Sequence, residues 1–414
     1  MSSPARTASL NPPAMPGVRD PRLDFFRGVG MFIILIAHIP WNTWADWIPA
    51  RFGFSDAADL FVFCSGMASA VAFGRVFTDC GWFNGAARIL HRMWQVYWAH
   101  VGCFLVTVSL YVSVDSWLGE SRYLSADSPL NYLFTDPRHA LVDFLTLTWA
   151  PNYFDILPMY IVILGMVPIV MALAGVHKGL VAVFVATLWF GANFLGWTIV
   201  GDRVGGWGWF FNPFAWQLVF FTGFAFMRGW LPPPPRDRRL MWAGVAFCVL
   251  CAPFSCQSGF ACYGGWGYVP ALGDIRDWLQ PAVEKTWQGP LRFAHFMTTV
   301  YLAWYFAGVR GGNLKGAFVD LTRRVGQQTL AVFLVGIVAA QAIGIVLDMT
   351  GRTFVTTALA NLAGLLVLIA TALTVAWFKT PPWRKKKTPV KAPLAAADAS
   401  VDLSGMIAEA PKAA

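Results

Sequence analysis

Asp24, Arg27 and His38 lie within one stretch, RLDFFRGVGMFIILIAHIPWNTW, that is long and apolar enough to cross a bilayer. An ionisable group at such depth costs roughly 2.5–3.5 kcal/mol on insertion scales, so three of them ask for a function or for partners. At about 100° per residue, Arg27 and His38 differ by about 20° and Asp24 and His38 by about 40°, so all three share a helical face that must turn away from lipid. The rise from Arg27 to His38 is roughly 16 Å, so an arginine at one interface puts the histidine beyond the middle of the hydrocarbon. The same residues also fit an Asp-Arg anchor with a histidine hydrogen-bonded inside a bundle.

The next apolar stretch, FSDAADLFVFCSG, carries Asp56 and Asp59 at i, i+3. In an antiparallel pair of helices Asp59 falls at the depth of His38, where a carboxylate would fix the histidine tautomer and leave the other ring nitrogen to take a proton from an alcohol. A buried His-Asp pair that only joins two helices is the competing reading. Arg88 and Arg92, at i, i+4, would gather with Arg27 and Arg75 around the opposite mouth of the bundle. Guanidinium forks suit phosphates, such as the diphosphate and ribose phosphate of a coenzyme A ester, though anchoring explains basic residues at helix ends as well. Asn152 and Asp155 in WAPNYFDILPMY, with neighbouring aromatics, suit a flat polar ligand such as a sugar or an interfacial belt. Arg292 and His295 in GPLRFAHF open a later helix near the same side, as members of an acceptor cavity or as an anchor.

The elements that must position these groups are membrane-spanning helices. Windows of about twenty apolar residues place them near 23–44, 54–73, 92–114, 156–174, 179–200, 213–228, 240–255, 291–309, 327–347 and 353–378. Arg75, Arg88, His91 and Arg92 fall in the loop before the third helix, and the short apolar piece at 144–149 reads as re-entrant or interfacial. An all-α polytopic bundle of ten crossings has both termini on one side. The basic loops, PPPPRDRR and the RKKK tail collect on that side, which makes it cytoplasmic. Residues 1–20 and 381–414 read as disordered flanks of a transmembrane domain at 21–380, with the first apolar segment retained as an anchor.

Composition agrees: 57% of the 414 residues are hydrophobic, 13% are charged, and there are 21 tryptophans. The net charge of +9 is topological in its distribution and does not point to nucleic acid. The seven cysteines lack paired CxxC spacing, so no metal site is expected, and only Cys256 and Cys262 are placed to pair outside the membrane. The phosphate loop GxxxxGK[ST] is missing, as are HExxH and GxSxG.

RDPRLDFFRG, HIPWN, FGFSDAADLFVFCSG, RILHRMWQVYWAH, PNYFDILPMY, FNPFAWQL and GPLRFAHF together resemble the OpgC family of membrane acyltransferases. The pattern of Asp24, Arg27 and His38 is also similar to the wider acyltransferase family 3. The resemblance implies transfer of an acyl group, typically succinyl, from cytoplasmic acyl-CoA to osmoregulated periplasmic glucans, in the inner membrane of a bacterium and with no permanently bound cofactor. By that likeness Asp24, Arg27, His38, Asp59, Arg88 and Arg92 belong to the active site. The acyl group, the acceptor glycan and the oligomeric state stay open. The alternatives are a proton-coupled transporter or flippase of an envelope glycan precursor, for which internal repeats are not apparent, and an anchor that recruits soluble enzymes.

Overall fold

The computed structural model describes residues 20–151, 153–202, 206–255, 269–380 and 383. Asn152, Cys256 and Cys262, expected above to bind substrate or to pair, lie outside the described residues, as do the flanks at 1–19 and 384–414. Contacts divide the chain into a helical body up to Ala376 and a terminal unit from Trp377, in which Trp377, Phe378 and Trp383 form a ring cluster.

The body is built from α1 (Pro21–His38), α2 (Ala57–Ala72), α3 (Gly74–Asp79), α4 (Trp82–Leu118), α5 (Asn131–Thr135), α6 (Pro137–Leu145), α7 (Ile156–Val176) and α8 (Lys178–Leu195). After a small antiparallel pair, β1 (Val200–Asp202) and β2 (Trp207–Gly208), come α9 (Pro213–Met227), α10 (Arg238–Cys251), α11 (Pro270–Val283), α12 (Pro290–Ala307), α13 (Ala317–Gln327), α14 (Thr329–Thr350) and α15 (Phe354–Lys379). Local sequence explains the starts. Asp20 caps α1 by accepting from the Arg22 N–H at 2.9 Å, with Pro21 in the first turn. Asp56 and Asp59 form a capping box at the head of α2.

Small residues let helices meet backbone to backbone, the packing that replaces hydrophobic drive in lipid. A Cβ at Gly326 would sit 1.8 Å from the Asp24 carbonyl oxygen and one at Gly28 2.0 Å from that of Thr322, which locks α13 onto α1. Gly66 lies as tightly against the Phe220 carbonyl and joins α2 to α9.

Among the described residues six helical stretches are long and apolar enough to cross a membrane: α2 with α3, α4, α7, α8, α14 and α15. Four of the ten expected crossings, α1, α9, α10 and α12, are absent from that set. Two are short, at 15 and 14 residues for α9 and α10. The other two carry charged and polar residues in their first two turns: Arg22, Asp24 and Arg27 in α1, and Arg292 and His295 in α12.

Several expected boundaries are corrected. Arg88, His91 and Arg92 stand on α4, not in a loop, because Gly85, Ile89, Val96, His100 and Phe104 continue one buried face at helical spacing. The piece at 144–149 is the end of amphipathic α6, whose buried Ala140, Asp143 and Phe144 face the core, followed by a turn. The helix expected over 327–347 is preceded by a separate one: Gln328 breaks the path between α13 and α14, and α13 is held as a helix by its contact with α1.

Candidate active site

At the end of the bundle where α1 finishes and α2, α7 and α12 begin, charged groups are buried together. Asp59 is wholly buried and accepts three hydrogen bonds, from Arg292 Nη2 at 2.5 Å, the Asp56 N–H at 2.8 Å and Gln288 Nε2 at 2.8 Å. The same Arg292 nitrogen lies 3.1 Å from Asp56 Oδ2, which Lys285 Nζ also approaches at 2.7 Å. Arg292 Nη1 donates to the Phe54 carbonyl at 2.5 Å, and the Trp216 ring lies beneath its guanidinium. The result is a chain of alternating charge, Lys285–Asp56–Arg292–Asp59, in which each buried ion has a partner. Burial alone would raise the Asp56 carboxyl, but Lys285 and Arg292 hold it well below the usual carboxylate range.

His38, the last residue of α1, sits beside this chain, with Lys285 and Asp56 in electrostatic reach. Its Nδ1 is 2.7 Å from the Ile34 carbonyl oxygen, which can only accept. Nδ1 therefore carries the proton, and Nε2 is left with a free lone pair, the arrangement a general base needs. This corrects the expected role of Asp59. Its oxygens are taken by Arg292, Gln288 and the α2 cap, and a backbone carbonyl sets the His38 tautomer instead.

The Tyr153 ring lies 5.3 Å from that of His38. Asp155 stands at the same corner, just before the first residue of α7, and burial pushes its carboxyl up to about 6 against the opposing pull of Lys285. Tyr153 and Gln288 both take left-handed backbone, at φ 75° and 48°. Side-chain residues are rare there, and such strain concentrates where surrounding structure must hold a functional group in place.

His295, on α12, packs beside the chain that leads into α2. Its Nδ1 meets the Ser55 hydroxyl at 2.9 Å, and its ring fills the space that a side chain at position 53 would take, a Cβ on Gly53 coming within 2.3 Å of it. Lys285 and Gln288 are missing from the sequence-derived set. A lysine on the loop face opposite the basic loops was the one available signal for Lys285, and a glutamine in TWQGP offers none.

Toward the other end of the bundle, Arg27, Arg88 and Arg92 line one cavity of about 270 Å³ together with Ser65, Ser69 and Tyr160. Four helices supply them: α1 brings Arg27, α2 the serines, α4 Arg88 and Arg92, and α7 Tyr160. Arg92 is steadied by Gln95 Oε1 at 3.2 Å, and Gln95 in turn meets His91. Phe61 and Leu157 also line this cavity. Phe61 follows Asp59 by two residues and Leu157 follows Asp155 by two, so these walls stand within a turn of the charged cluster along the chain, while Asp56, Asp59, Lys285, Arg292 and His38 do not themselves line the cavity. Asp24 is buried at this arginine end, where Gln327 Nε2 donates to it at 3.2 Å, and the structure does not bring it to His38. Among the described residues no cluster of three His, Cys, Asp or Glu side chains is arranged for a metal ion.

The structure thus offers an imidazole whose Nδ1 carries the proton, a buried chain of paired charges beside it, and a separate arginine-lined cavity whose walls on α2 and α7 stand near that chain in sequence. Residues 19–380 match the family model described as OpgC protein. No curated protein and no solved structure matches the chain.

Proposed function

The chain belongs to the OpgC family of membrane acyltransferases, and on that premise we propose that it moves an acyl group, succinyl by the family likeness, from cytoplasmic acyl-CoA to hydroxyls of a periplasmic glucan. The observation that supports the reading is the cavity lined by Arg27, Arg88 and Arg92, two of whose other walls, Phe61 and Leu157, follow Asp59 and Asp155 by two residues. Coenzyme A is too charged to cross a bilayer. Its phosphates would stay with the arginines while the flexible arm carries the thioester up the cavity. In this reading α1, α9, α10 and α12 complete ten crossings, both termini are cytoplasmic, and the membrane is the bacterial inner membrane.

The chemistry follows from the tautomer. An acceptor hydroxyl gives its proton to His38 Nε2 as its oxygen bonds to the thioester carbonyl carbon. The carbon–sulfur bond then breaks, the departing sulfur takes the proton from His38, and an ester and a free thiol result. Lys285, in reach of both His38 and Asp155, supplies positive field for the transient oxyanion. Asp56 and Asp59 are positioning residues that hold Lys285 and Arg292. Asp24 belongs to the donor end beside Arg27, and Asp155, Arg292 and His295 form the frame on the acceptor side.

The test is transfer of labelled acyl from acyl-CoA outside to glucan inside vesicles, or the reverse, depending on the orientation of the reconstituted protein. His38→Ala is expected to insert normally and to lower transfer by about 10²–10⁴-fold, the usual worth of a positioned base. Transfer by His38→Ala at the parent rate overturns the mechanism.

A further inference from the structure

A second cavity, of about 230 Å³, adjoins the site and was not foreseen from the sequence. Tyr111, Arg122, Tyr123, Asp127, Tyr153 and Gln341 are among its walls. Tyr153 and Phe154 line this one and Leu157 and Tyr160 the donor cavity, so a single turn of chain at the head of α7 separates them. His38 touches that turn through Tyr153.

We propose that this second cavity is the acceptor cleft, binding a glycosyl unit so that its hydroxyl faces His38; the identity of the acceptor rests on the transferase reading above. The chemistry of the walls is what a sugar requires. Sugars present C–H faces that lie on aromatic rings and hydroxyl edges that pair with planar polar groups. The Tyr111 and Tyr123 rings are parallel within 2° at 5.5 Å between centroids, and together they form an aromatic shelf. Arg122 stands 5.8 Å over Tyr123, and Asp127 and Gln341 complete the polar rim. Three arginines line the donor cavity. One arginine and one aspartate line this one, which suits a neutral polyol and not a nucleotide.

The cleft is also tied to the catalytic turn. Tyr111 donates to Gln341 Oε1 at 2.7 Å, and Gln341 Nε2 donates to the His38 carbonyl at 3.4 Å. Tyr123 donates to Asp348 at 3.0 Å, Asp348 pairs with Arg352 at 2.5 Å, and Arg352 donates to the Pro40 carbonyl at 2.7 Å. The loop that carries Tyr123 is pinned by the Asp115 carboxylate, which accepts from the Tyr123 and Leu124 N–H groups. The shelf and the base are thereby held in one register, which is how a cleft aims a particular hydroxyl.

The experiment measures binding of an unmodified glucan oligosaccharide to the intact protein in nanodiscs by calorimetry, with acyl-CoA affinity measured in parallel. Tyr123→Ala is expected to weaken glucan binding by about tenfold, the upper worth of an aromatic face, and Tyr123→Phe by less than about twofold. Arg122→Ala, which alters an exposed side chain and serves if Tyr123→Ala does not fold, is expected to weaken it several-fold. Acyl-CoA affinity is unchanged in all three. Parent-like glucan binding by Tyr123→Ala and Arg122→Ala overturns the proposal, as does absence of glucan binding by the parent protein. Equal loss in Tyr123→Phe and Tyr123→Ala also overturns it, because the Asp348 bond and not the ring face would then matter. Glucan binding that behaves as expected in a protein that transfers no acyl group upholds the cleft and refutes the transferase reading.

Discussion

Replacing Asp59 separates its structural work from catalysis. Its carboxylate receives Arg292, the Asp56 N–H and Gln288 with no solvent near, so each lost acceptor leaves a buried donor stranded. In Asp59→Asn the remaining oxygen can keep Arg292 and the Asp56 N–H, which turns the new amide nitrogen toward Gln288 Nε2. That donor-to-donor contact is relieved by a flip of the Gln288 amide, whose Oε1 has no partner in the parent. What is lost is the charge assistance from Arg292, which still has Asp56 at 3.1 Å, so the cost is about 1–2 kcal/mol. Asp59→Ala strands Gln288 and half of Arg292 and is expected to cost about 3–5 kcal/mol. Reversible unfolding in mixed micelles compares the three proteins. The His38 tautomer is set by Ile34, so the pH profile of residual transfer in Asp59→Asn should keep the parent's His38 limb. Equal destabilisation by Asn and Ala refutes the flip argument. A parent-like stability for Asp59→Ala refutes the charged chain as the clasp between α2 and α12.

At the donor end, Arg27→Lys and Arg92→Lys keep charge but lose the fork, so acyl-CoA affinity should fall while insertion is unchanged; unaltered affinity in both would make these arginines anchors. For Asp155, burial favours the neutral carboxyl in the folded state. That contribution is complete below the ordinary carboxylate value and is lost as pH rises through about 6, so Asp155→Asn should be the more stable protein above about pH 6 and equal to the parent near pH 4. An advantage that does not change with pH would contradict the burial argument. Cysteine labelling at Pro49 and Gly206 is expected to report the periplasmic side, and a cytoplasmic signal at either position breaks the proposed topology.

Helical class, six of the ten expected membrane-spanning segments and the placement of Asp24, Arg27 and His38 on one helix were legible in the chain, because hydropathy and a 3.6-residue period are local properties. So was the grouping of Arg27, Arg88 and Arg92, which line one cavity, although Arg75, expected beside them, does not line it. Asp56 and Asp59 were legible as a pair, and their capping box is a local pattern as well. The partners were not. Asp59 prefers Arg292, 233 residues away, to the nearby His38, a choice made by how α12 packs beside α2. Equal depth in two antiparallel helices brings residues to one level but says nothing of which faces meet. Lys285, Gln288 and the Tyr111–Tyr123 shelf come from segments with no periodic signal or from faces that only packing brings together. Sequence by itself determined which residues are too polar to face lipid. Tertiary structure decided which of them share a cavity, because buried charges and donors settle on the partners that packing places within hydrogen-bonding distance.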